Sequence, residues 1–122
     1  MKKFSLHEPQ LKGNEKFNVK QCLDTGWLSS SGNFVSKFEN KLEKFTNTNV
    51  ICCNSGTSAL HISLILAGVK PGEEVIVPSI TFIATVNTVL YCSANPVFMD
   101  CDDSLCMDVD KLLDFLKYKT YS

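Results

Sequence analysis

A glycine and three hydroxyl side chains stand together in the segment NSGTSA, residues 54–59. The segment follows a short apolar run and precedes a mostly apolar stretch, which places it between a strand and the start of a helix. The first turn of a helix has unpaired backbone N–H groups and a partial positive charge. Gly56 lets an anion approach the backbone, and the hydroxyls of Thr57 and Ser58 add donors. The pattern predicts a phosphate cradle; the alternative is an ordinary turn with a helix N-cap.

An aromatic residue, Phe82, follows the next predicted strand in the segment PSITFIAT, residues 78–85. In an open α/β sheet, ligands bind beyond the carboxyl ends of the strands. If the two strands run side by side in the same direction, Gly56 and Phe82 open onto one pocket, where a flat phosphorylated ring can stack on the aromatic side chain. The alternative is that Phe82 belongs to the core. Neither GxxxxGK[ST] nor GxGxxG occurs, which excludes those two kinds of nucleotide-binding loop.

The periodicity of the apolar residues indicates which elements position these segments. After Asn33, apolar side chains recur at spacings of four, four and three, which predicts one stripe of a helix. This stripe consists of Phe34, Phe38, Leu42 and Phe45. The charged residues between them, among them Glu39 and Glu43, are assigned to the solvent face of that helix.

Strands and helices alternate along the whole chain. Helices are predicted over residues 13–24, from 33, over 57–67 and 81–91, and from 108 to about 117; strands are predicted over 50–53, 75–77 and 96–99. Gly68 fits a helix C-cap and Asp108 a helix N-cap. This alternation is typical of an α/β fold with a parallel sheet. Three strands leave open edges, and the chain ends in a polar tail, which indicates an incomplete domain.

Composition and charge argue against several classes of partner. The net charge is −1, the pI is about 6.1 and the lysines are scattered, so there is no electrostatic basis for nucleic-acid binding. No apolar stretch follows the N-terminal lysines, and the segment 62–69 is far shorter than the ~20 residues of a membrane span. We therefore expect a soluble, cytoplasmic protein. The six cysteines are expected to be reduced, and no metal site is predicted because no CxxC pair occurs.

Several segments together resemble the DegT/DnrJ/EryC1/StrS aminotransferase family. They are NSGTSALH at 54–61, GEEVIVPSITFIAT at 72–85 and NPVFMD at 95–100. GWLSS at 26–30 and the pair Phe38-Glu39 match the family's usual opening. The likeness covers nearly the whole chain in the right order. The tract FMDCDD at 98–103 is most similar to members that act on nucleotide-linked 4-keto-6-deoxy-hexosamines, of the legionaminic-acid type.

This resemblance implies the N-terminal part of a fold type I, aspartate aminotransferase-like large domain, with an incomplete parallel or mixed sheet and flanking helices. It implies a homodimer with pyridoxal 5′-phosphate (PLP) as cofactor. The implied reaction moves an amino group from L-glutamate to a nucleotide-linked keto-deoxy sugar in bacterial surface-polysaccharide biosynthesis. Residues 1–32 would form an N-terminal helix with a substrate or dimer loop, and residues 33–122 a partial PLP-binding domain.

The resemblance also implies roles for individual residues near the cofactor. Gly56, Thr57 and Ser58 would bind the cofactor phosphate, and Phe82 would stack on the pyridine ring.

Two other places on the chain receive an expectation from the resemblance. Trp27, Ser29 and Ser30 would lie near the substrate or the partner subunit. His61 lies four residues after Thr57 on one helix face, a placement that invites a general-base role. The family does not use this position for catalysis, so we expect a structural role for His61.

Two catalytic residues of the family, a lysine and an aspartate, have no candidate in this chain. The Schiff-base lysine and the aspartate that pairs with the pyridine nitrogen belong to later segments of the family, and the tract after the third predicted strand does not serve the latter role. None of the 12 lysines stands in a serine-x-x-lysine setting. We therefore expect a truncated form or fragment that is inactive alone. The open alternatives are a family dehydratase, a non-catalytic module that binds a phosphate or nucleotide sugar, and an inactive remnant.

Overall fold

The computed structural model describes residues 7–119, so the N-terminal lysines and the polar C-terminal tail lie outside the described residues. The elements within this range are α1 (Glu15–Thr25), α2 (Asn33–Thr46), α3 (Gly56–Leu66), β1 (Glu74–Pro78), α4 (Ile83–Tyr91), β2 (Asn95–Met99) and α5 (Val109–Lys119). They divide into two compact units, the first ending at Cys52 and the second beginning at Cys53. None of the described helices is long and apolar enough to cross a membrane. The functional division into residues 1–32 and 33–122 stays a prediction.

The first unit contains α1 and α2, and both predicted helices are confirmed. α1 ends at Gly26, whose backbone is left-handed with a φ of 73° and whose amide donates to the Leu23 carbonyl. α2 begins at the predicted residue, Asn33, and ends at Asn47, which is also left-handed with a φ of 54°. A left-handed residue stops a helix because its amide turns back to a carbonyl of the last turn. The chain leaves α2 at Asn47 toward residues 50–53.

The strand predicted over residues 50–53 is wrong. This segment is not part of a strand, and β1 and β2 alone form the sheet of residues 7–119. The Val50 amide donates to Glu43 Oε1 at 3.3 Å, and the Cys52 amide donates to Glu39 Oε1 at 2.9 Å. The side chain of Ile51 is 85% exposed. Carboxylates of α2 bind the amides that a neighbouring strand was expected to bind.

The same two contacts correct the assignment of Glu39 and Glu43 to the solvent face of α2. Both residues are half-buried, and each accepts a hydrogen bond from a residue that follows the helix. A glutamate can line a protein-facing surface when backbone donors satisfy its oxygens. The charge pattern alone did not separate this case from ordinary solvation.

The second unit is an α/β arrangement, as predicted. β1 and β2 pair in parallel with a register from Glu74↔Asn95 to Pro78↔Met99, and α4 connects them. Such a crossover connection buries one face of the sheet under the helix. The core is small: Val77, Val89 and Ala94 are buried together, and Leu64 and Val69 belong to the half-buried shell around them. The sheet has two strands instead of the predicted three.

Caps define the ends of the helices in this unit. Gly68 follows α3 with a φ of 87°, and the next amide, that of Val69, donates to the Leu64 carbonyl at 3.1 Å. The C-cap itself is Ala67, so the prediction for Gly68 is off by one residue: Gly68 is the left-handed residue that follows the cap. Asp108 is confirmed as the N-cap of α5, because its Oδ1 accepts the Lys111 amide at 3.0 Å.

We expect Val89→Ala to lower the free energy of unfolding by about 2 kcal/mol, because it removes buried methyl groups and leaves a cavity in a small core. Val89 is 1% exposed, whereas Val109 is 61% exposed. The control is therefore Val109→Ala, which we expect to change stability by less than about 0.5 kcal/mol. Urea unfolding followed by circular dichroism measures both. Equal effects of the two substitutions would contradict the assigned core.

Candidate functional site

The first turn of α3 presents open backbone donors. Ser55 is extended and caps the helix, since its Oγ accepts the Ser58 amide at 3.1 Å. The Ala59 amide makes the first intrahelical bond, to the Ser55 carbonyl at 3.1 Å. Within the described range, the amides of Gly56 and Thr57 have no acceptor. Two N–H groups therefore remain available to an anion at this helix end.

The helix start around these two amides leaves room for a ligand and has no acidic residue in its first turn. A Cβ atom built on Gly56 would meet no atom within 4 Å. The first turn of α3 contains no acidic residue. The partial positive charge of the helix start is thus not neutralised by a carboxylate of that turn.

The hydroxyl groups of the cradle differ in what they already bind. Ser58 Oγ donates to Asn54 Oδ1 at 2.8 Å and lies 3.0 Å from Ser55 Oγ. The half-buried Thr57 has no side-chain partner among residues 7–119. Thr57 can therefore offer an amide and a hydroxyl together, whereas Ser58 must first exchange a local bond. The role of Ser58 in phosphate binding stays a prediction.

Phe82 stands at the start of α4 with an open ring. Its backbone is extended, with φ −69° and ψ 138°, and its carbonyl accepts the Thr85 amide at 2.9 Å. The side chain is 79% exposed, so Phe82 is not a core residue, which removes the alternative interpretation of this position. An exposed ring in the short connection between the carboxyl end of β1 and the start of α4 can stack on a flat ligand.

Helices α3 and α4, which begin at Gly56 and Ile83, pack against each other. Their contact includes His61 and Tyr91, whose rings meet edge to face with centroids 5.6 Å apart. This contact agrees with the structural role expected for His61. The strand that was expected to lead into Gly56 is absent at residues 50–53. The argument for a shared pocket of Gly56 and Phe82 assumed that this strand pairs with β1. The shared pocket therefore stays a hypothesis.

The predicted substrate loop lies in the first unit. A cavity of about 550 Å³ opens between the end of α1 and the start of α2, and Trp27 and Ser29 belong to its lining. Trp27 is 58% exposed. Ser29 Oγ donates to the Ser31 carbonyl at 3.2 Å, and Ser30 is exposed but not part of the lining. The structure thus brings two of the three predicted loop residues to one cavity.

The acidic tract after β2 is engaged in local structure. A hydrogen bond from Lys111, helped by the Cys101 amide and the charge of Lys111, holds the pKa of Asp100 below its usual value. Hydrogen bonds from the hydroxyl and amide of Ser104 likewise lower the pKa of Asp102. These carboxylates stabilise the turn that leads into α5. The expectation that this tract does not pair with a pyridine nitrogen stays a prediction.

Most of this chain is similar to known proteins, both in sequence and in structure. The family model for DegT/DnrJ/EryC1/StrS aminotransferases matches residues 9–121. GDP-perosamine synthase from Caulobacter vibrioides is 46% identical over 101 residues, which are 82% of this chain and 27% of that protein. The crystal structure of NtdA from Bacillus subtilis with bound cofactor PMP matches with a TM-score of 0.73 and 35% identity, over 81% of this chain and 23% of that chain.

A more distant structure shows the fold alone. GDP-4-keto-6-deoxy-D-mannose-3-dehydratase from E. coli, with bound hydrated PLP, has a TM-score of 0.78 at 20% identity, over 90% of this chain and 30% of that chain. This chain spans 27% of the length of the GDP-perosamine synthase that it matches.

We expect Ser55→Ala to destabilise the second unit by about 1 kcal/mol, because the Ser58 amide loses its acceptor. Ser63→Ala is the control, since Ser63 is exposed within α3 and alanine is the better helix former. Urea unfolding gives the stability change, and hydrogen exchange at residues 56–59 locates it. A Ser55→Ala protein with unchanged stability and exchange would show that this cap is not formed in solution.

We expect the pKa of the Asp100 carboxyl to lie below its usual range in the wild type and closer to that range in Lys111→Met, because the hydrogen bond from Lys111 is the main reason that this pKa is lowered. A lowered pKa stabilises the fold above the unfolded-state pKa, and this contribution is lost as the pH falls through the lowered value. NMR titration of the carboxyl carbon measures the shift, with Lys41→Met as a control. Identical Asp100 titrations in wild type and Lys111→Met would refute the pairing.

Proposed function

The chain belongs to the DegT/DnrJ/EryC1/StrS aminotransferase family, and we propose that its second unit supplies the cofactor-phosphate cradle of a PLP-dependent sugar aminotransferase. The observation that carries the proposal is the pair of open amides at Gly56 and Thr57, at a helix start without acidic residues. Fixed N–H donors and a helix dipole suit a phosphate dianion. NtdA, the Bacillus subtilis neighbour, is described with bound PMP, which supports the same class of cofactor.

Each residue of the cradle has a defined task in this proposal. Gly56 and Thr57 donate their amides to the phosphate oxygens, and Thr57 adds its hydroxyl. Ser58 contributes if its hydroxyl leaves Asn54. Phe82 offers its ring face to the pyridine and keeps water from that side. PLP, when bound, acts as the electron sink for amino-group transfer, while the protein orients it and tunes it.

The acceptor substrate in this proposal is a nucleotide-linked keto-deoxy sugar used for bacterial surface polysaccharides. Three relatives named GDP-perosamine synthase favour a GDP-linked sugar as the first to test, ahead of the legionaminic-type sugar suggested by the tract at 98–103. L-Glutamate is the proposed amino donor. Trp27 and Ser29, at the cavity of the first unit, are the proposed substrate contacts, with Ser30 beside them. A homodimer and a cytoplasmic location complete the proposal.

A non-catalytic module for a phosphorylated ligand is the second candidate function. Open amides at a helix start bind the phosphate of a nucleotide sugar by the same physics as that of a cofactor. The exposed ring of Phe82 favours a flat heteroaromatic ligand, which both PLP and a nucleotide base provide. Direct comparison of the two ligands therefore separates the candidates.

We expect PLP to bind this chain more tightly than GDP-mannose, and the affinity for PLP to depend on both cradle and ring. Thr57→Val is expected to weaken PLP binding about tenfold, because a hydrogen bond to a charged group is lost. Phe82→Ala is expected to weaken it roughly fivefold through lost stacking. Isothermal titration calorimetry measures these affinities.

The matched control is Phe45→Ala, since Phe45 is a phenylalanine that is 87% exposed in the other unit. Its affinity for PLP should equal that of the wild type. Tighter binding of GDP-mannose than of PLP would favour the non-catalytic module. Unchanged PLP affinity in Thr57→Val and Phe82→Ala would place the cofactor elsewhere.

A further inference from the structure

The pair Phe38-Glu39 matches the family's opening, and the proposed function assigns it no task. In the structure, Glu39 and Glu43 lie four residues apart on α2 and accept the amides of Cys52 and Val50, which lie two residues apart. Both bonds join side chains of a helix to the backbone of a segment that is neither helix nor strand. The earlier glutamate binds the later amide and the later glutamate binds the earlier amide, so residues 50–52 run antiparallel to α2 and two adjacent bonds hold them there.

The spacing of donors and acceptors matches. Side chains four apart on a helix face are about 5–6 Å apart at Cβ. Alternate residues of an extended chain are about 6.6 Å apart and direct their amides to the same side. Two glutamates at i and i+4 can therefore bind alternate amides as a neighbouring strand would. The residue between the two donors, Ile51, is 85% exposed.

The two hydrogen bonds matter for stability because the glutamates and the residues that they bind are partly withdrawn from water. Glu39, Glu43, Val50 and Cys52 are all half-buried. An amide removed from water without an acceptor destabilises the structure, and a charged acceptor makes a stronger bond than a neutral one. The Cys52 bond, at 2.9 Å, is the shorter of the two. Glu39 is thus the more important member of the pair.

The segment held in this way leads directly into the phosphate cradle. Asn54 follows Cys52 by two residues, and its Oδ1 accepts the Ser58 hydroxyl at 2.8 Å. Ser55 then caps α3. Within the first unit, α2 holds the Cys52 amide; within the second unit, the Asn54 side chain is bound to the first turn of α3.

We infer that Glu39, with Glu43 beside it, is a positioning residue for the phosphate cradle, acting by holding the amides of residues 50–52. This inference rests on the proposed function for its consequence, since the held segment matters for the ligand only if the cradle binds one. Glu39 does not touch the ligand. It reduces the number of conformations open to the residues that directly precede the cradle in the chain.

The test compares Glu39→Met, Glu39→Gln and the wild type by hydrogen exchange at residues 50–53 and by titration with PLP. Methionine has a similar length but no oxygen, whereas glutamine keeps an Oε1 acceptor. We expect exchange of the Cys52 amide to be about tenfold faster in Glu39→Met, and PLP affinity to be about fivefold weaker. Glu39→Gln should restore most of both. Lys41→Met, an exposed change on the same helix, should leave both unchanged.

The outcomes separate this inference from the function on which it rests. If the wild type does not bind PLP, the proposed function fails, while the exchange data still decide whether the carboxylates hold residues 50–52. If Glu39→Met loses protection at Cys52 but binds PLP like the wild type, the positioning role is refuted and the cradle stands. If Glu39→Gln is as impaired as Glu39→Met, the hydrogen bond is not the cause. Should Glu39→Met fail to fold, Glu43→Met, which removes the longer of the two bonds, provides the same comparison with Glu43→Gln as its control.

Discussion

This structure depends on how the chain treats backbone amides that have no partner within a helix or the sheet. They occur at two places near each other in sequence, and the chain treats them in opposite ways. The amides of Val50 and Cys52 are bound by carboxylates of α2. The amides of Gly56 and Thr57 remain open, at a helix start that excludes acidic residues from its first turn. Carboxylates bind the amides of residues 50–52, whereas the first turn of α3, where we propose that an anion binds, has no acidic residue.

The elements with local causes could be predicted from the sequence. The apolar spacing on α2 and the glycine after α3 are properties of neighbouring residues, so their positions follow from helix geometry alone. Residues 50–53 show the limit of such reasoning. An apolar run becomes a strand only if another strand lies beside it, and strand pairing is decided by residues distant in sequence. In this chain the partner of that run is a helix side-chain pair, which no local propensity describes.

The candidate site was predicted in its residue types but not in its internal bonds. The group of Gly56, Thr57 and Ser58 follows from helix-end chemistry, because every helix start leaves donors unpaired. That Ser58 turns its hydroxyl to Asn54 depends on side-chain rotamers, which sequence does not specify. Glu39 was assigned to solvent because a glutamate between lysines on a helix is ordinarily solvated. Only the position of a later segment shows that its carboxylate has backbone donors to bind.

Similarity of fold does not by itself choose the reaction, since a dehydratase at 20% identity has a similar backbone. The proposed cradle specifies a phosphorylated ligand, but it does not specify which reaction follows. Its donors are backbone amides and a hydroxyl, and no lysine lies between Lys44 and Lys70. None of these donors titrates near neutral pH. The pH dependence of binding at the proposed cradle is therefore set by the ligand, whose phosphate gains its second charge near pH 6. A dianion is favoured by open amides because each added charge strengthens bonds whose donors cannot lose their protons.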